Sequence, residues 1–90
     1  MEYRLLGRSG LKVSTITLGT MNFGRDDPSK PLFSLGVEPA RRHLDLAIDR
    51  GLNLIDTSDG YAKGASEEII GEALEGKRHK VLLATKCFNP

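Results

Sequence analysis

"NLIDTSDGYAKGASEE", residues 53–68, starts as an apolar strand and finishes as the first turn of a helix. Between the two, Asp56, Asp59 and Tyr61 occupy a stretch with no room for a core. Loops held between regular elements often carry function, because a rigid scaffold fixes their side chains. The strand-loop-helix order also decides the fold, since the segments on either side extend the same alternation.

Upstream, Ala40, Leu44, Ala47 and Ile48 recur at i, i+4, i+7 and i+8, which predicts a helix from Val37 to Arg50. Pro39 suits its first turn and Gly51 its end. Before it, residues 20–36 hold Gly24, Pro28, Pro31 and Gly36 with no sustained period, which predicts a long loop. "STITLG" is expected to form a strand ending at Gly19. Residues 3–6 and 11–15, joined by Gly7-Arg8-Ser9-Gly10, are expected to pair as a hairpin with a four-residue loop. Downstream, Ser66 is placed to cap a second helix, with Glu67 and Glu68 favourable against its N-terminal dipole. Ile69, Ile70, Ala73 and Leu74 would be its buried stripe and Gly76 its stop, before a third strand in "KVLLATK".

Hairpin, β, loop, α, β, loop, α, β is the order of an α/β protein with a parallel sheet covered by helices. The β-loop-α units share an architecture without a sequence repeat, and no low-complexity linker divides them. The third strand is expected to finish near Lys86, and the sequence stops at Pro90 with one sheet edge and one helical layer still to supply. Residues 1–90 therefore read as part of a larger domain.

Composition narrows the partners. With 39% hydrophobic and 28% charged residues, the chain matches an ordinary soluble globular protein. A net charge of +1, with the two signs mixed along the chain, gives no electrostatic reason to expect nucleic acid or an anionic membrane. The longest apolar runs are far too short to span a bilayer, and the N-terminus lacks the pattern of a signal peptide. A single cysteine, Cys87, rules out an intrachain disulfide and fits a cytoplasmic setting. It is expected to be a plain half-buried thiol rather than a nucleophile.

In a parallel α/β sheet the C-terminal ends of the strands lie on one side, and ligands bind there. Thr20 follows the first strand, Asp56 ends the second and Lys86 the third, while Tyr61 can fold back over the same rim. A lysine beside a phenol favours the phenolate, and a carboxylate holds the lysine, which makes an acid–base set of Asp56, Tyr61 and Lys86. Each has a plainer alternative: Asp56 as a turn residue, Tyr61 as packing, Lys86 as a solvated strand end. Only their joint placement favours chemistry. Asp59-Gly60 reads as a turn pair, His43 as part of a solvated helix face, and His79 as exposed at the opposite rim. "GTMNFGR" lacks the Lys-Ser/Thr of a phosphate loop, no G-x-G-x-x-G follows the first strand, and no cluster has metal-ligand spacing.

"YRLLGRSGLKVSTITLGTMNFG", "AIDRGLNLIDTSDGYAKGASEEIIGEAL" and "VLLATK" closely resemble the N-terminal third of aldo-keto reductases, most of all bacterial members related to potassium-channel β subunits. The match runs over residues 3–87, with three separated motifs in the right order and spacing. The resemblance implies a (β/α)₈ barrel with its floor closed by the hairpin. Of that barrel, residues 1–90 would supply three of the eight strands. It also implies reduction of an aldehyde or ketone by hydride transfer from NADPH, with NADH the alternative. Carried over by position, Asp56, Tyr61 and Lys86 are three of the family's four catalytic residues, with Tyr61 the general acid. Gly19, Thr20 and Met21, with Asp56, are the cofactor contacts, and the family's histidine falls after Pro90. Ala62 departs from the family's usual glycine, which is tolerable unless that position needs a positive φ. The resemblance leaves two further possibilities: a cofactor-sensing regulatory subunit, and a truncated product without activity. The 90-residue chain alone is expected to be inactive and to self-associate through its exposed sheet edge.

Overall fold

A computed structural model describes residues 1–25 and 27–87, so Asp26, inside the expected loop, lies outside the described residues. Two short strands, β1 (Tyr3–Leu5) and β2 (Lys12–Ser14), pair antiparallel with Arg4 opposite Val13. Gly7 and Gly10 take positive φ values of 55° and 81° in the four-residue connection, where a side chain would be strained. The hairpin docks on the segment entering the main sheet: Ser14 N–H donates to Asn53 Oδ1 at 2.7 Å, and Asn53 N–H returns a bond to Ser14 Oγ at 3.1 Å.

The main sheet has three parallel strands in the order β3 (Leu18–Gly19), β4 (Leu54–Asp56), β5 (Leu82–Ala84). Leu18 pairs with Ile55 and Ile55 with Leu83, so these three share one face. Helices α1 (Val37–Asp49) and α2 (Ala65–Ala73) cover that face. Ala40 and Leu44 from α1 and Ile69, Ile70, Ala73 and Leu74 from α2 join Ile55 in one core. Alternation along β4 turns Leu54 and Asp56 to the other face, which neither helix covers. The parallel sheet and two helices are as the sequence predicts, although only the end of "STITLG", Leu18–Gly19, and the centre of "KVLLATK", Leu82–Ala84, are strands of that sheet.

Helix α1 ends as its sequence implies. Gly51 has φ +93°, its N–H donates to Ile48 O, and Leu52 N–H reaches back to Ala47 O at 3.0 Å, a Schellman closure. The start of α2 differs from expectation. Ser66 does not cap it: the cap position is Gly64, at φ +94°, and Ser66 lies inside the first turn, wholly buried. Its hydroxyl is drawn inward by Thr20 and Thr57, leaving Glu67 and Glu68 as the first-turn acids. The segment 20–36 is also more built than a plain loop. Phe23 bridges Leu35 in parallel, Pro31–Phe33 make a 3₁₀ turn, and Phe23 is buried in the core. Cys87 is exposed rather than half-buried, because it lies beyond the last pairing of β5.

Candidate active site

Asp56 is the last residue of the central strand, so its side chain stands at the C-terminal rim on the face away from the helices. Lys86, two residues past β5, returns to that carboxylate. Its Nζ donates to Asp56 Oδ1 and Oδ2, both at 3.2 Å, and to Thr57 O at 2.7 Å. The same ammonium stands 5.0 Å from the centroid of the Tyr61 ring. The three sequence-predicted groups therefore meet on one rim, with Lys86 in the middle. Partial desolvation pulls the Lys86 ammonium down, but the Asp56 carboxylate that it hydrogen-bonds, with the nearby Tyr61 oxygen second, outweighs it. The net shift is above the ordinary 10.5.

Tyr61 is delivered by a tight turn. Its N–H donates to Ser58 O at 3.2 Å, and Gly60 N–H is held by Ser58 Oγ at 3.3 Å, so Asp59-Gly60 is the turn pair expected. Asp59 N–H also bonds Lys86 O at 3.1 Å, tying the turn to the segment that carries the lysine. Directly after Tyr61, Ala62 and Lys63 both hold positive φ, 51° and 55°. The condition under which alanine is costly at residue 62 is thus met.

The remaining predicted residues divide by accessibility. Gly19 and Met21 are exposed beside the rim, and a Cβ built on Gly19 would meet nothing within 4 Å. Thr20, between them, is wholly buried, and its Oγ1 donates to Asp56 O at 2.9 Å. Its hydroxyl is therefore committed to the protein. Neither histidine joins the group: His43 is exposed on α1 with its ring 6.3 Å from that of Phe23, and His79 is exposed before β5. Among the described residues no set of His, Cys, Asp and Glu could hold a metal ion, and no helix is long and apolar enough to cross a membrane.

Sequence reasoning missed Thr57 and the inward role of Ser66. A signal for Thr57 existed: one residue after an Asp on the open face, alternation sends it to the helical face. No such signal existed for Ser66, whose partner Thr20 is 46 residues away. A separate cavity of about 300 Å³ opens beside the turn, lined by Arg25, Asp27, Lys30, Phe33, Ala62 and Lys63. Within it the Asp27 carboxyl is held below its ordinary value, first by the Ser29 hydroxyl and then by the Ser29 N–H.

The sequence model of the aldo/keto reductase family matches residues 15–90. The "Uncharacterized oxidoreductase YrpG" of Bacillus subtilis is 45% identical, over 100% of this chain and 27% of its own length. The "Probable voltage-gated potassium channel subunit beta" of Arabidopsis thaliana is 37% identical, over 98% of this chain and 26% of its own. Among solved structures, the holo form of aldo-keto reductase AKR11C1 from Bacillus halodurans superposes with a TM-score of 0.80 at 38% identity, covering 99% of this chain and 26% of that one. An aldo-keto reductase from Klebsiella pneumoniae in complex with NADPH gives 0.62 at 34% identity, covering 87% of this chain and 25% of that one. The chain spans about a quarter of the length of the relatives it matches.

Proposed function

The chain belongs to the aldo/keto reductase family, and from that premise we propose that it is the N-terminal part of a barrel that reduces an aldehyde or ketone to an alcohol. The observation that carries this reading is Lys86 bonded to Asp56 while facing the Tyr61 ring. Tyr61 is the proton donor. As the carbonyl oxygen gains charge, the phenol hydroxyl gives up its proton to it, and the Lys86 ammonium offsets the negative charge left on the phenol oxygen. Asp56 holds the ammonium on the rim through both carboxylate oxygens, and Thr57 O fixes its direction.

When bound, a nicotinamide cofactor, NADPH with NADH as the alternative, supplies the hydride. The residues present fit such a group. Gly19 leaves open space at the end of β3, Met21 offers an exposed apolar side chain, and Asp56 stands on the uncovered face beside them. Thr20 contributes by holding the Asp56 backbone rather than by a free hydroxyl. Support for NADPH comes from the similar Klebsiella pneumoniae enzyme, whose structure contains it. A cytoplasmic location accords with a lone, unpaired cysteine.

The test is Tyr61→Phe in a complete barrel containing this chain. Carbonyl reduction should fall by about 10²–10⁴-fold while cofactor affinity stays near wild type, since the ring remains and the proton is lost. Turnover within a few-fold of wild type would remove Tyr61 from the role. The likeness to a channel β subunit favours a second reading, a cofactor-sensing regulatory subunit that keeps the same rim. Cofactor binding with no turnover across a broad panel of aldehydes and ketones would select it.

A further inference from the structure

Three hydroxyls lie sealed beneath the rim, and the proposed proton transfer uses none of them. Thr20 and Ser66 are 0% exposed and Thr57 is 3% exposed. Ser66 Oγ donates to Thr20 O at 2.9 Å, with Thr57 Oγ1 at 3.2 Å and Thr20 Oγ1 at 3.1 Å around it. Thr20 Oγ1 donates to Asp56 O at 2.9 Å. Each hydroxyl has one proton to give. With the Ser66 proton on Thr20 O and the Thr20 proton on Asp56 O, the Thr57 proton goes to Ser66 Oγ. Donation thus runs from Thr57 to Ser66 to the Thr20 backbone, and from Thr20 to the Asp56 backbone.

What this chain grips is the two-residue segment that holds Lys86. The Asp56 side chain points to the open face and binds the ammonium, while the Thr57 side chain points to the helices and binds Ser66. The Thr57 carbonyl completes the lysine's set of acceptors, and its N–H is held by Ala84 O at 2.8 Å. Rotation of Thr57 would move a carboxylate and a carbonyl away from one ammonium together. Its hydroxyl is the only side-chain group of Thr57 able to resist that rotation by a hydrogen bond.

We propose that Ser66, acting through the Thr57 hydroxyl, is a positioning residue for the Asp56–Lys86 pair. The proposal rests on the reading of this rim as the reaction site. A buried hydroxyl chain is polarised along its length and holds one geometry, whereas an apolar contact would let the segment slide. Displacement of about 1 Å at a catalytic group can cost on the order of 10²-fold in rate.

Thr57→Val and Thr57→Ser separate positioning from packing, since the first keeps the shape and loses the hydroxyl and the second does the reverse. In the complete barrel, Thr57→Val and Ser66→Ala should lower kcat by about 10- to 100-fold with KM little changed. Lys86, followed by NMR of ¹³C-labelled lysine, should titrate lower in both variants. Thr57→Ser should restore both readouts. A folded Thr57→Val with unchanged kcat and unchanged Lys86 titration would overturn the proposal, even if it melts earlier. If the wild type reduces no carbonyl, the reaction assignment falls. The Lys86 titration of the Thr57 variants then still decides the positioning: a lowered value upholds it, an unchanged one ends it. Should Ser66→Ala fail to fold, the Thr57 pair gives the answer alone.

Discussion

Ala62 and Lys63 stand one after the other at φ 51° and 55°, directly behind Tyr61. A left-handed backbone costs an L-residue about 1–2 kcal/mol, because Cβ crowds the following carbonyl. Both are exposed, so little packing beyond the contact of Ala62 with Gly24 offsets the strain, and the turn that carries it also brings Tyr61 over Lys86. Ala62→Gly removes the crowding but gives the unfolded chain more freedom, a loss of about 0.5–1 kcal/mol. The net expectation is stabilisation by roughly 0.5–1 kcal/mol, read in the complete barrel as a melting temperature higher by about 1–4 °C. A lower melting temperature would mean that the turn is not left-handed at this position. The sequence allowed the question to be posed, since the departure from glycine was visible at residue 62. It could not answer it, because φ is set by where the turn must place its ends.

At the scale of elements, boundaries governed by backbone conformation were legible and those governed by distant partners were not. Gly51 ends α1 for a local reason that a sequence states openly. It also makes a contact that no sequence states: Tyr3 Oη donates to Gly51 O at 2.6 Å, joining the hairpin to the helix end. A Cβ at residue 51 would lie 2.8 Å from that hydroxyl and 3.0 Å from Met1 Cβ. Gly51→Ala should therefore destabilise the protein by roughly 0.5–1 kcal/mol from the backbone, the left-handed cost less the entropy that alanine removes from the unfolded chain, with a further loss as Tyr3 is displaced. Urea unfolding gives the comparison, and Gly51→Ala combined with Tyr3→Phe should lose less than the sum of the two single changes. An unchanged urea midpoint for Gly51→Ala would show that the Schellman closure is not what stops α1. Ser66 illustrates the opposite case. Serine followed by two glutamates is the pattern of a capped helix start and equally that of a buried first-turn hydroxyl. Thr20, on another strand, decides between them.

The whole molecule is asymmetric across its sheet. Ile55 is wholly buried against both helices, while Leu54 and Leu82 on the opposite face are only partly covered. Among the described residues β5 pairs on one side alone, with β4, which leaves a row of backbone donors and acceptors along its outer edge. Next to that edge, a groove of about 260 Å³ runs between α2 and β5 over Ile70, Leu74 and Leu83. The order of strands and helices, and hence the common rim of Asp56 and Lys86, could be read from alternation in the sequence. The size of the uncovered face could not, because it depends on how far each helix reaches across the sheet. An apolar edge of this kind is a template for association, and a small domain buries only about 60% of its unfolded surface to resist it. Expressed as residues 1–90, the polypeptide should therefore sediment as concentration-dependent oligomers and bind NADPH weakly at most. Leu82→Lys places a charge on the edge strand and should shift the distribution towards monomer, since an unpaired ammonium opposes a second strand docking beside it. A monomer at every concentration, with a cooperative melt and micromolar NADPH affinity, would mean that the edge is closed in solution by contacts within these same residues.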